Sequence, residues 1–160
     1  MTTRTNGTPA HDAAHAPADG VEGDRLTRVT APEGVAPGNG YAHVVWGTGR
    51  FAAISGQCAF DESGAVVGVG DPAAQAERVF ENLRRCLAAA GADFRDVIKL
   101  TYFLTDMAHL PAVRAARDAA LPAGVTPASS AVRVAGLVRP ELLLEVEALA
   151  LLPDPPRPTP

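Results

Sequence analysis

Residues 142–152 read Leu-Leu-Leu-Glu-Val-Glu-Ala-Leu-Ala-Leu-Leu. A strand turns successive side chains to opposite faces of its sheet, so this run places apolar residues on both. One face carries Leu142, Leu144, Val146, Ala148, Ala150 and Leu152, a set without a polar member, and is predicted to face the core. The other carries Leu143, Glu145, Glu147, Leu149 and Leu151. Leucines left in water on a flat sheet make a contiguous apolar patch of the kind monomers avoid. This second face is therefore expected to be covered by other copies of the chain, with Glu145 and Glu147 stranded at the contact. A carboxylate in such a place needs a hydrogen-bonding partner or a chemical task.

The remaining elements supply a cover for the first face. Asp71-Pro72 opens a helix, since Asp71 can accept from free N–H groups and Pro72 suits the first helical position. Ala76, Val79, Leu83, Leu87 and Ala90 follow at helical spacing, flanked by Phe80 and Cys86, and Gly91 fits a left-handed stop. A shorter helix spans Leu110–Ala120, with Leu110, Val113, Ala116 and Ala120 as its inner stripe. Val97–Leu104 alternates as a strand, with Ile98, Leu100, Tyr102 and Leu104 on one face and Val97, Lys99, Thr101 and Phe103 on the other. Ala42–Trp46 and Arg50–Ser55 flank Gly47-Thr48-Gly49, a hairpin signal. Strands Ser129–Ala135 and Leu142–Leu152 close the chain. The order β-β-α-β-α-β-β predicts a single α+β domain whose sheet is covered by two helices on one face.

Composition narrows the function. The chain has 160 residues and a formal net charge of −4, so one core is expected and a nucleic-acid partner, which needs a basic face, is disfavoured. No apolar run is long enough to span a bilayer, and Met1–Gly20 lacks the apolar centre of a secretory signal. A cytoplasmic protein with no membrane partner is expected. Cys58 and Cys86 alone make no disulfide framework or metal-ligand spacing, so neither a metal nor another cofactor is expected. Residues 1–38 are predicted to be a disordered leader, residues 39–153 the domain, and residues 154–160 a proline-rich tail.

Several segments line up with one family. Ile54-Ser55-Gly56-Gln57 follows the hairpin, and residues 75–91 read QAERVFENLRRCLAAAG. Residues 97–106 read VIKLTYFLTD, residues 126–135 TPASSAVRVA, and residues 144–149 LEVEAL. Together they resemble the Rid family, also called YjgF or reactive intermediate deaminase. The resemblance implies a chorismate-mutase-like fold. It also implies a homotrimer whose sheets form a central barrel, with a small-molecule pocket at each subunit interface. In the deaminating branch that pocket takes a 2-imino or enamine acid, and water releases ammonia.

The resemblance assigns Tyr41 to closing the pocket, Gly56 to backbone contact with substrate, and Glu145 to positioning water. It places Ser129 where the family has an arginine that grips the substrate carboxylate with two parallel hydrogen bonds. Serine offers one short neutral donor instead. The expected substrate is accordingly a small imine, enamine or activated carbonyl compound without the usual α-carboxylate, with Ser129 or Ser130 holding a polar oxygen. Cys58 and Ala59 after the SGQ motif, and Ala108 where asparagine is usual, are further departures. Cys58 is expected to line the pocket and has no evident activating neighbour. A lyase, dehydratase or cyclase in a biosynthetic pathway and a non-catalytic binding trimer both remain open. So does an acid–base role for His43. Arg133 is expected to pair with a glutamate, Arg139 to lie near a pocket rim, and His109 to be a helix cap or a surface residue. His11 and His15 are expected to be inert, and Trp46 and Tyr102 to pack.

Overall fold

The computed structural model describes residues 25–154. The first part of the expected leader, residues 1–24, and the tail from residue 155 onward lie outside the described residues. Residues 25–38, also assigned to the leader, carry structure instead. β1 (Leu26–Val29) pairs antiparallel with β2 (Val44–Gly47), Leu26 opposite Gly47 and Val29 opposite Val44. Leu26, the segment's one large aliphatic apart from its valines, is 3% exposed, and Arg25 pairs with Asp96. A buried Leu26, the Arg25–Asp96 ion pair, the Arg28 bond to Arg95 O and a backbone ladder help hold a stretch whose composition alone reads as unordered.

The expected hairpin does not form. β2 ends in the small β1–β2 sheet, and β3 (Arg50–Gln57) starts a different one. Gly47 and Gly49 serve close approach at this corner. A Cβ on Gly47 would stand 2.4 Å from the Arg25 carbonyl, and one on Gly49 2.2 Å from that of Leu152.

The main sheet contains β3, β4 (Val97–Leu104), β5 (Ala128–Arg133) and β6 (Leu144–Leu152) in the order β3-β6-β4-β5. β6 runs antiparallel to both neighbours, whereas β4 and β5 are parallel. α2 (Leu110–Ala120) supplies the crossover that a parallel pair requires. α1 (Pro72–Ala89) starts as expected, with the Asp71 side chain accepting from the N–H groups of Ala73 and Ala74. It stops before Gly91, whose φ is 75°.

Both helices cover one face. Ala76, Val79, Leu83 and Leu87 of α1 and Val113 of α2 join Leu142, Leu144, Val146, Ala148 and Ala150 in one core, each at most 1% exposed. Each large aliphatic buried there contributes about 1.5–3 kcal/mol. The alternation in β4 slips once. A register shift between Val97 and Lys99 buries Val97 and leaves Ile98 half-buried, the reverse of the expected pairing. Cys86 is half-buried and Trp46 is 43% exposed, so neither is a core residue.

No helix among the described residues covers the opposite face. Leu143, Leu149 and Leu151 are only half-buried there. Phe51, opposite Leu151, is 64% exposed, and Val132, opposite Phe103, is 44% exposed. No helix among the described residues is long and apolar enough to cross a membrane.

Candidate functional site

β6 sets Glu145 opposite Phe103 of β4, next to the point where β3 shifts register between Ile54 and Gln57. At that irregularity Gly56 presses against the carboxylate: a Cβ there would lie 1.7 Å from Glu145 Oε1. A side chain at 56 and the observed Glu145 rotamer cannot coexist. Cys58, 7% exposed, directs its Sγ to Glu145 Oε2 at 3.6 Å. Burial, then the Glu145 charge and the hydrogen bond, push the thiol up to about 12. Cys58 is therefore a protonated donor at neutral pH and no thiolate nucleophile.

These residues line a cleft of about 380 Å³, shared with Phe60, Arg78, Asn82 and Val138. α1 fixes its floor. Asn82 Nδ2 donates to the carbonyls of Cys58 (3.0 Å) and Phe60 (2.9 Å), and Arg78 Nε donates to Phe60 O at 2.8 Å. Gln75 is fully buried; its Nε2 donates to Gly68 O and Glu141 O, and its Oε1 accepts from Leu143 N at 2.9 Å. It thus anchors the chain two residues ahead of Glu145. Arg139 lies over the Phe60 ring, 5.1 Å from its centroid, at the cleft rim. Reading α1 for apolar periodicity missed these helpers. Their signal is a polar stripe at positions 75, 78 and 82, spaced like the apolar one.

Tyr41 and Ser129 lie elsewhere. Ala42 bridges Ala128 and its N–H donates to Pro127 O at 3.2 Å, bringing Tyr41 to the start of β5. There Tyr41, Tyr102, Arg114, Arg117 and Ser129 line a second, smaller pocket of about 200 Å³. Tyr102 is 4% exposed, and its hydroxyl lies against the Arg117 guanidinium. Burial pushes it up to about 12, against the pull of the Arg117 charge and hydrogen bond.

Ser130 points to the uncovered face, where its Oγ accepts from Lys99 Nζ at 2.6 Å. Within one chain the expected site residues thus divide. Gly56, Cys58 and Glu145 share one cleft, Tyr41 and Ser129 another, and Ser130 neither. Arg133 donates to Thr105 O and forms no ion pair among the described residues. His43 is engaged through Nε2 with Ala36 O at 2.8 Å and stacks edge-on against Tyr41, so it faces neither cleft. His109 sits at the α2 N-cap position without a side-chain cap bond. Among the described residues no group of three or more His, Cys, Asp and Glu is placed to hold a metal ion.

Comparison with known proteins supplies the context. The family described as Endoribonuclease L-PSP matches residues 31–152. Protein DfrA of Myxococcus xanthus is 36% identical over 122 residues, covering 76% of this chain and 89% of that protein. The 3-aminoacrylate deaminase RutC of Acinetobacter baylyi is 38% identical over 97 residues, 61% of this chain and 75% of its own. Among solved structures, YyfB of the Rid family from Yersinia pestis superposes with a TM-score of 0.73 at 36% identity, covering 80% of this chain and 99% of that one. RidA from a Psychrobacter species gives 0.60 at 30% identity, covering 84% and 100%. The α+β fold, the matched span and these relatives agree: the chain belongs to the Rid (YjgF) family.

Proposed function

We propose that the chain is a deaminase-type hydrolase of a small reactive imine or enamine. The observation that carries this reading is the Glu145 carboxylate, half-buried in a cleft that only glycine at position 56 leaves open. An enamine first tautomerises to the imine, its β-carbon taking a proton and its nitrogen losing one. Glu145 then accepts a proton from water as the water oxygen adds to the C=N carbon and the nitrogen is protonated. The carbinolamine then collapses, its nitrogen takes a proton and ammonia departs, leaving a carbonyl product. The Cys58 thiol, held protonated, fixes one carboxylate oxygen and leaves the other toward the cleft. RutC, named for deamination of 3-aminoacrylate, supports the reaction class. A net charge of −4 weighs against RNA as substrate despite the family's description.

The working unit in this reading is a homotrimer. Phe51, Leu149, Leu151 and Val132 on the helix-free face meet the same face of neighbouring copies. That contact brings the Glu145 cleft of one chain against the Tyr41–Ser129 pocket of the next, which unites the two groups that a single chain keeps apart.

The test is ammonia release from imines generated in situ. Wild type is expected to accelerate release, and Glu145→Gln to lose about 100-fold or more. Oligomers mixed from Glu145→Gln and Tyr41→Ala chains are expected to regain part of the activity, because some interfaces then hold two intact halves. Absence of activity on every imine tried would refute the hydrolase. Activity without complementation would refute the shared site.

A further inference from the structure

The mouth of the Glu145 cleft carries positive charge that water positioning does not use. Phe60 stands there between two guanidinium groups. Arg78 Nε donates to its carbonyl oxygen at 2.8 Å, and Arg139 lies over its ring, 5.1 Å from the centroid. The two Nη groups of Arg78 make no hydrogen bond among the described residues, and the Arg139 side chain makes neither a hydrogen bond nor an ion pair among them. Arg85, the third arginine at this cleft, differs: it is committed to Glu81 at 2.7 Å. Asp61 is the carboxylate that feels the Arg78 charge, but its Oδ1 is already used to hold the turn that follows, accepting from Ser63 N, Ser63 Oγ and Ala65 N.

The same short segment ties these cations to the reacting end. Cys58, whose Sγ meets Glu145, is two residues from Phe60, so their backbones are at most about 7 Å apart. Asn82 holds both carbonyls and fixes that spacing. The wall between is apolar, with the Phe60 ring and Val138. A planar carboxylate is saturated by the fork of one guanidinium. Two guanidinium groups that reach one place from the carbonyl side and the ring side of Phe60 suit a tetrahedral ion with three oxygens.

We infer that the mouth of this cleft binds a phosphoryl group carried at the far end of the substrate, gripped by the Nη groups of Arg78 and by the Arg139 guanidinium. A short carbon chain along Phe60 and Val138 then sets the reacting C=N against Glu145. The cleft of about 380 Å³ has room for both parts. The inference rests on the proposed function and deepens it, naming phosphate esters as the substrate class and Arg78 and Arg139 as the residues that select them. Binding of the ester itself does not depend on the hydrolysis reading.

Titration of the intact protein with glycerol 3-phosphate, glycerol and inorganic phosphate, followed by amide chemical shifts, tests it without turnover. The ester is expected to saturate shifts around Gly56, Phe60, Arg78 and Val138. Glycerol should produce no saturation, and inorganic phosphate, lacking the carbon chain, should bind more weakly than the ester. Arg78→Gln and Arg139→Gln are each expected to weaken the ester about 10-fold or more. Arg139 is exposed and makes no side-chain hydrogen bond among the described residues, so its variant is expected to fold and decides the matter if Arg78→Gln does not. Arg84→Gln removes an equal charge from the same helix, where the side chain pairs with Glu81 outside the cleft, and should leave ester binding within about 2-fold. No saturation by the ester, full affinity in Arg139→Gln, or an equal loss in Arg84→Gln would each overturn the inference. Inorganic phosphate binding as tightly as the ester would overturn it too, since the site would then hold a free ion and not a substrate. Ester binding that depends on Arg139, in a protein that releases no ammonia from imines, would sink the hydrolase reading and leave this site standing. Ammonia release without ester binding would do the reverse.

Discussion

Replacing Gly56 with alanine separates the chemistry of the cleft from the stability of the fold. The new methyl would lie 1.7 Å from Glu145 Oε1, 2.6 Å from Cδ and 2.9 Å from Cγ, so the whole end of the side chain must swing away. The Glu145 side chain is flexible, and an off-rotamer adjustment costs about 0.5–1.5 kcal/mol. The φ of Gly56 lies outside the left-handed range, so alanine meets no backbone strain and gains about 0.4–1 kcal/mol by restricting the unfolded chain. These effects nearly cancel, and stability in urea should change by no more than about 1 kcal/mol. Activity should not survive, because a proton acceptor displaced by about 1 Å forfeits on the order of 100-fold. Ammonia release from in-situ imines by Gly56→Ala, Glu145→Gln and the double variant checks this. The double variant should be no worse than Glu145→Gln alone, since both remove the same placed carboxylate. Full activity in Gly56→Ala, or losses that multiply in the double variant, would refute the assignment of Gly56 as the residue that makes room for Glu145.

Gln75→Leu should destabilise the protein by about 3 kcal/mol in urea unfolding, because it strands the Leu143 N–H and two carbonyls in the core; a cost below about 1 kcal/mol would show that these bonds are replaceable. Alkaline pH should also destabilise the fold through Cys58. The unfolded thiol releases its proton from its ordinary 9.0, whereas the folded thiol keeps it to about 12, so stability is complete below pH 9 and falls across that window. The slope approaches about 1.4 kcal/mol per pH unit for one proton. Cys58→Ser should flatten the difference between unfolding measured near about pH 8 and about pH 10, where Tyr102, held up to about 12, adds little; an unchanged slope would mean that the thiol is not held protonated by its surroundings.

Much of the architecture is written in periodicity. The alternation of β6, the stripe of α1 and the Asp71–Gly91 limits of that helix each follow from which side chains must leave water. Pairing partners are not written there. Gly47-Thr48-Gly49 reads as a hairpin because glycines beside apolar strands usually mark one. Here they bring backbone against backbone at Arg25 and Leu152, a long-range fact with no local trace. β1 escaped notice for a related reason. Its stability lies in pairing with β2 and in Arg25 reaching Asp96, far along the chain, and not in the composition of residues 25–38.

The site was hidden in the residues that break those same patterns. Glu145 stood out because it interrupts an apolar strand. Gln75, Arg78 and Asn82 repeat along α1 as regularly as its leucines, yet a search for apolar spacing passes over them. Arg117 follows Val113 by four residues, on the inner face of α2, and Tyr102 alternates with Leu100 and Leu104 on the core side of β4. Both look like packing until their polar ends are followed to one cavity. A polar group that holds a core position must be hydrogen-bonded or await a partner. Asn82 and Gln75 belong to the first kind and build the cleft. Arg117 belongs with them: its guanidinium donates to Asp118 and reaches the Tyr102 hydroxyl, a polar contact between α2 and β4 that no apolar spacing reveals.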